Sequence, residues 1–316
     1  MGDLYKYDPR YTPLPFGLHN SGVICHLNAL LQSLLSCPAV IRAALENEPY
    51  LQATQTGRAF FGAVSAAVRA SSAQDTAGRL GSAQDAANSS AALLAALTAD
   101  LRRRRPKTAY GPRQESASEG LVLLLDMLDA PKAAPARVNP ISRLFYHRYV
   151  TAVVCEVCGH RSSTEEDLAV QFNLFDYDAL RDPPTTPRDL GELLYCEKTK
   201  PHGYRCEGCK SVGRCARLRY LQMVPEVLVI LFNIYTEQNR RSRAIPDKIQ
   251  FRAAAGVPLV YRRVAQVFHE GGLGGGHYTA KGLRRDGAVY MFNDASVSKS
   301  SFGASPAVYM TFYHAV

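Results

Sequence analysis

The chain lacks any apolar run long enough to cross a bilayer, so a membrane is not expected among its partners. Its opening residues, MGDLYKYDPRYTPLPF, contain no apolar h-region, and a secretory signal is therefore not expected. Without export the eight cysteines should remain reduced, in cytoplasm or nucleus, which argues against a disulfide framework. What is present is a globular balance, 47% hydrophobic and 21% charged over 316 residues, enough for one large or two small domains. The formal net charge is +9, part of it concentrated in Arg102–Arg105 and Lys107. So short a run reads first as a solvated loop and only second as a nuclear-localisation or RNA contact.

The most informative stretch is Gly17–Leu35, GLHNSGVICHLNALLQSLL. Leu27, Leu30, Leu31, Leu34 and Leu35 share one face at helical period, which predicts an amphipathic helix with Cys25 in its first turn. A helix N-terminus favours an anion, so the thiol there should ionise more readily and become a nucleophile. Asn20 could offer its amide to an oxyanion near Cys25. A buried structural cysteine is the competing reading.

Two knuckles, Cys155-Glu-Val-Cys158 and Cys206-Glu-Gly-Cys209, stand 47 residues apart. Four thiolates suit one structural zinc, and four protein ligands would close that site to chemistry. Cys196 and Cys215 read as bystanders, and His160 and His202 as weaker substitutes. No organic cofactor is expected.

Near the end, FHEGGLGGGHYTAKGLRRDGAVYMFNDASV carries five glycines between Glu270 and His277. His277 opens an expected strand, and a hairpin through Arg284–Gly287 would return Asn293 and Asp294 beside it. Either side chain could orient an imidazole acting as base. His269 is the rival base, and a satisfied hairpin histidine the bland alternative.

Elsewhere, Cys37-Pro38 should end the first helix. The Ala- and Ser-rich region from Ala43 to Leu101 reads as helical, with a possible flexible insertion over Ser71–Ser90, and Ala91–Leu101 and Leu121–Leu128 as firmer helices. Arg148–Val154, Asp167–Leu174, Arg217–Leu221, Val227–Tyr235 and Val289–Phe292 favour strands. Helices first and strands later predict an α+β chain.

Taken together these pieces resemble the ubiquitin-specific protease family of cysteine deubiquitinases. The family's Cys box is matched at Gly17, Leu18, Asn20, Gly22, Cys25, Asn28, Leu31 and Gln32. Its His box is matched at His269, Gly271, Gly276, His277, Tyr278, Ala280, Phe292, Asn293, Asp294 and Val297. Gln114–Leu128, Val224–Tyr235 and Ala307–His314 are similar to three further family segments, and the knuckles fall where the family's fingers carry theirs.

The resemblance implies a papain-like core with fingers–palm–thumb architecture: a helical thumb over about 17–140, mostly zinc-bearing β fingers over about 141–232, and a mostly antiparallel β palm over about 233–316. It implies Cys25 as nucleophile, His277 as base, Asn293 as orienter with Asp294 beside it, and Asn20 as oxyanion donor. Glu119, Gly276 and Tyr278 would meet substrate. The expected partners are ubiquitin or polyubiquitin, or a ubiquitin-like modifier, and ubiquitinated proteins, met by a monomer. Nucleic acid is not expected as a partner. A catalytically inactive binding module and a basic zinc-ribbon protein are the alternatives. The sequence departs from the family at Val23-Ile24, His26, Ser116, Gly120 and Asn233-Ile234-Tyr235.

Overall fold

A computed structural model describes residues 7–22, 24–76, 83–104, 116–128, 139–167, 169–174, 196–235, 245–251, 259–272 and 274–316. Among the described residues, a 3-10 turn at Pro9–Tyr11 is followed by seven α-helices: α1 (Cys25–Leu34), α2 (Pro38–Glu46), α3 (Glu48–Leu51), α4 (Gln55–Thr76), α5 (Ala83–Arg104), α6 (Ala117–Leu128) and α7 (Pro140–Arg143). Twelve strands follow among the described residues: β1 (Arg148–Cys155), β2 (Arg161–Glu165), β3 (Phe172–Leu174), β4 (Cys196–Thr199), β5 (Cys215–Met223), β6 (Val227–Phe232), β7 (Lys248–Phe251), β8 (Leu259–Gly272), β9 (Gly275–Leu283), β10 (Val289–Asn293), β11 (Ser296–Ser300) and β12 (Val308–Ala315). The fold is α+β. Among the described residues no single helix is long and apolar enough to cross a membrane.

The strands form two sheets. A four-stranded antiparallel sheet runs β2-β1-β5-β4, and an eight-stranded one runs β11-β10-β9-β8-β12-β6-β3 with β7 paired to β8. Every pairing in the larger sheet is antiparallel except the short parallel one between β3 and β6. β6, at the end of the stretch expected to be mostly fingers, joins the larger sheet, where all six of its residues are buried and covered on both faces. It stops at Phe232, short of Tyr235, where the Asn233 Oδ1 accepts the Tyr235 N–H at 3.2 Å and turns the chain.

α1 is not the one-sided helix its leucines suggest. All ten residues are buried, His26, Asn28, Gln32 and Ser33 included. It lies between α6 and the sheet face made by β8 and β9, so its polar side is covered as well as its apolar one. The helix ends at Leu34, and Pro38 opens α2 at a position where proline's missing N–H has no role.

The stretch expected as a flexible insertion is largely helix. Residues 71–76 close α4 and residues 83–90 open α5, which pack against each other, with Ser71 and Ser90 both buried. Residues 77–82, and the side chains of Arg102–Arg105, lie outside the described residues.

Candidate active site

α1 begins at Cys25, and the N–H groups of Leu27 and Asn28 both return to the Ile24 carbonyl, at 2.9 and 3.0 Å. Ile24 gives no side-chain cap. The helix entrance is shaped instead by Asn20, whose Oδ1 accepts the N–H of Gly22 at 3.1 Å and of Ile24 at 3.4 Å. That fixes which end of the carboxamide faces forward. Its Nδ2 donates to Asp294 Oδ2 at 3.0 Å, leaving the second amide hydrogen to a further acceptor. Cys25 itself is 3% exposed.

β9 packs on α1 and carries His277, half-buried, near its start. β9 and β10 form the expected hairpin, with Phe292 opposite Ala280. Asn293 then sits beside the imidazole, its Oδ1 2.7 Å from His277 Nε2. An amide oxygen only accepts, so Nε2 carries the proton and Nδ1 keeps the lone pair. A ring in that tautomer can take a proton from a thiol at Nδ1.

Asp294 is placed differently. It occupies the turn after β10 at φ +49°, a backbone region that Asp tolerates better than most residues. Its two carboxylate oxygens take the amides of Asn20 and, at 2.7 Å, of Asn28, and its carbonyl accepts the Leu18 N–H at 2.9 Å. A Cβ on Gly17 would stand 2.2 Å from the Ala295 carbonyl oxygen, so the segment before Cys25 lies directly on this turn. The structure thus makes two groups from the predicted residues, His277 with Asn293, and Asn20 with Asp294. Asn28 joins the second group. Sequence reasoning matched it to the Cys box without giving it a role, although its position three residues after Cys25, on the same face of α1, was the available signal.

Behind His277 lies an aromatic cluster. Tyr278 is 3% exposed, with its ring 4.3 Å from that of His269 and 6.3 Å from that of His26, and its hydroxyl 3.4 Å from the Tyr235 hydroxyl. Burial raises its pKa above the ordinary tyrosine value. His269 is buried and held below the usual histidine range by desolvation and then by His277. Stacked among tyrosines, it is badly placed to serve as the base. Gly276 is fixed by this packing: a Cβ there would meet Glu270 O at 2.3 Å and His269 Nε2 at 2.5 Å.

Glu119 lies on the exposed side of the first turn of α6, its N–H on the Ser116 hydroxyl at 3.1 Å. Its charge acts on the cluster through Tyr235, whose pKa is raised by burial first and by Tyr309 and Glu119 after it.

At the far end of the four-stranded sheet, the thiols of Cys155, Cys158, Cys206 and Cys209 all lie within 4.8 Å of one another, close enough to share a metal ion. Cys155 and Cys209 sulfurs are 3.6 Å apart, Cys158 and Cys206 sulfurs 3.7 Å. Backbone N–H groups of Cys158 and Val157 point at the Cys155 sulfur and push that thiol down to about 5. Cys215 is opposite Cys155 in register and buried, outside the set of four. The side chain of Cys196 lies outside the described residues.

The family model for ubiquitin carboxyl-terminal hydrolase matches residues 16–313. The chain belongs to this family. It is of the ubiquitin-specific protease type that the two boxes suggest. Relatives include ubiquitin carboxyl-terminal hydrolase 36 of Drosophila virilis, 26% identical over 334 residues and 98% of this chain. The same-named protein of Drosophila melanogaster is 26% identical over 316 residues and 93% of this chain. The chain covers only 26% and 29% of those two proteins, so it spans about a quarter of the length of its curated relatives. Among solved structures, the SAGA Ubp8/Sgf11/Sus1/Sgf73 DUB module bound to ubiquitin aldehyde superposes at a TM-score of 0.71 with 19% identity, over 98% of this chain and 71% of that one. A yeast SAGA DUB module superposes at 0.64 with 18% identity, over 98% and 70%. At these identities the structures show the shared fold.

Proposed function

We propose that the chain is a thiol-dependent deubiquitinase, hydrolysing the bond after the C-terminal glycine of ubiquitin. The observation that carries this is the His277–Asn293 contact, with Nδ1 left as the basic nitrogen on the strand that packs against the Cys25 helix. His277 Nδ1 takes the Cys25 proton, and the sulfur attacks the glycine carbonyl carbon. The oxyanion that forms is met by the remaining Asn20 N–H and by the Cys25 backbone N–H at the positive end of the helix dipole. The imidazolium gives its proton to the departing amine. A water deprotonated by the same ring then hydrolyses the thioester. The family membership and a structural neighbour described as bound to ubiquitin aldehyde support ubiquitin as substrate.

The four knuckle thiols fit one structural zinc. Tetrahedral Zn–S bonds of about 2.3 Å require sulfurs about 3.8 Å apart, close to the 3.6 and 3.7 Å separations, and the backbone donors on Cys155 suit a thiolate. Zinc there would tie β1 to the segment before β5 and supply no chemistry to the reaction. We further assign the chain to a reducing compartment, cytoplasm or nucleus, acting on ubiquitinated proteins as a monomer.

The deciding experiment presents ubiquitin with an electrophilic C-terminus. A covalent adduct that disappears in Cys25→Ser is expected. A folded, zinc-loaded protein that forms no adduct with ubiquitin overturns the reading, and an adduct only with a ubiquitin-like modifier reassigns the substrate.

A further inference from the structure

Arg284, just beyond β9, is the largest fully buried side chain of the described residues. Its guanidinium is received by neutral oxygens. Nη2 donates to Gln32 Oε1 and, at 3.3 Å, to the Gln32 carbonyl; Nη1 donates to Ser36 Oγ and, at 3.2 Å, to the Leu283 carbonyl. Its plane rests 4.2 Å from the ring centre of Phe292, the residue before Asn293. Gln32 passes the link on, because its own Nε2 donates to the Phe16 carbonyl at 2.8 Å, at the head of the segment that leads to Asn20. The approach is close: a Cβ on Gly282 would lie 2.1 Å from Ser36 Oγ.

One guanidinium therefore joins the end of α1, the end of β9, β10 and the chain before Asn20. Each of these carries a member of the active site at its other end or next residue: Cys25, His277, Asn293 and Asn20. We infer that Arg284 is a positioning residue for the proposed reaction, holding the thiol helix in register with the histidine strand. The inference rests on the deubiquitinase reading. A planar fork that reaches two acceptors while stacking on a ring cannot be reproduced by an ammonium, so lysine should recover only part of the effect. If the fork is lost, α1 can shift along β9, and misplacement of about 1 Å costs on the order of 100-fold in rate.

The test compares Arg284→Met, Arg284→Lys and wild type, with folding followed by circular dichroism and zinc content. Arg284→Met is expected to lower kcat about 10- to 100-fold while KM changes less than about twofold. Arg284→Lys should fall between. In parallel, the pH dependence of Cys25 alkylation by iodoacetamide, read by peptide mass mapping, should move toward that of an ordinary thiol in Arg284→Met. This second readout needs no ubiquitin. A wild-type protein that fails to cleave ubiquitin removes the proposed function, whereas an unchanged alkylation profile in Arg284→Met removes the positioning role. A folded Arg284→Met with lowered thermal stability and wild-type kcat also overturns it. If Arg284→Met does not fold, Gln32→Met breaks the same link from the helix side and must show the same kcat loss; a wild-type kcat there overturns the inference.

Discussion

Asn293 leaves β10 with its carboxamide oxygen on His277, whereas Asp294, one residue later, turns its carboxylate toward Asn20 and Asn28. In the proposed reaction, adjacent residues would thus serve two different steps, proton transfer and oxyanion stabilisation. Sequence spacing brought both to the same hairpin end but could not separate them, because the separation depends on the left-handed turn at Asp294. Asn293→Ala should lower kcat and shift the alkylation profile of Cys25, since the imidazole loses the contact that fixes its tautomer. Asp294→Ala should lower kcat about 100-fold through a misdirected Asn20 and leave that alkylation profile in place. Iodoacetamide kinetics beside ubiquitin turnover distinguish them; a shifted profile in Asp294→Ala and an unshifted one in Asn293→Ala would reverse the assignment. Gly276→Ala is expected to be nearly inactive, because its methyl group must displace the Glu270 carbonyl or the His269 ring. Near wild-type turnover in that variant would mean that β8 and β9 yield more easily than their register suggests.

The elements that bear these residues were unequally legible. The Cys25 helix, the His277 hairpin and the paired knuckles announce themselves by leucines at period 3.6, by a turn between two β-prone runs, and by matched Cys spacing. β8 did not: LVYRRVAQVFHEGG mixes arginines and a glycine pair into fourteen residues, and only pairing with β7, β9 and β12 makes it a strand. α4 and α5 were legible as helices, α5 most firmly where Leu93, Leu94 and Leu97 are buried, but not over the possible insertion, where the buried residues are Ser71, Ala86 and Ser90, small side chains that carry no apolar period. The knuckles carry their own prediction. Among the described residues only Val153 and Tyr204 pack against the small core of Cys155, Cys206 and Cys215, so they give this end of the sheet little apolar burial. Binding of a structural zinc, worth about 10–16 kcal/mol in small peptides, would dominate local stability there. Cys206→Ser, or a strong chelator, should therefore release one zinc per chain and lower the melting temperature. Metal analysis with calorimetry checks it: no bound zinc in the wild type, or an unchanged melt after its removal, would contradict the assignment.

Across the whole molecule, two buried neutral histidines join separate layers. His147 stacks on Phe172 of β3 at 3.7 Å, just before β1 leads into the other sheet, and burial pushes its pKa down to about 4. His314, on β12, accepts the Ala39 N–H of α2 at Nε2, 3.1 Å away, and donates from Nδ1 to the Ala315 carbonyl at 2.6 Å. Burial holds it too at about 4. In the unfolded chain both rings would titrate near 6.5. The folded state therefore resists protons that the unfolded state accepts, so the stability from these sites is full above about pH 6.5 and is lost as pH falls toward 4. Each ring contributes a slope of up to about 1.4 kcal/mol per pH unit in that window. His269, lowered by burial and by His277, adds to the fall in the same direction, and so does the Cys155 thiol, held at about 5 by its backbone donors, wherever it is metal-free. Glu166, lowered by its Arg219 hydrogen bonds, acts below its ordinary value of 4.5, and Arg284, pushed down to about 9 by burial, stays charged throughout. Urea unfolding at pH 7, 6 and 5, with zinc content checked at each pH, should show a steady fall in stability. His314→Gln should lower stability at pH 7 and flatten that fall by up to one ring's share. Equal unfolding free energies at pH 7 and 5 in the wild type would show that these rings are not held neutral, and that the contact of His314 with α2 tolerates a second proton.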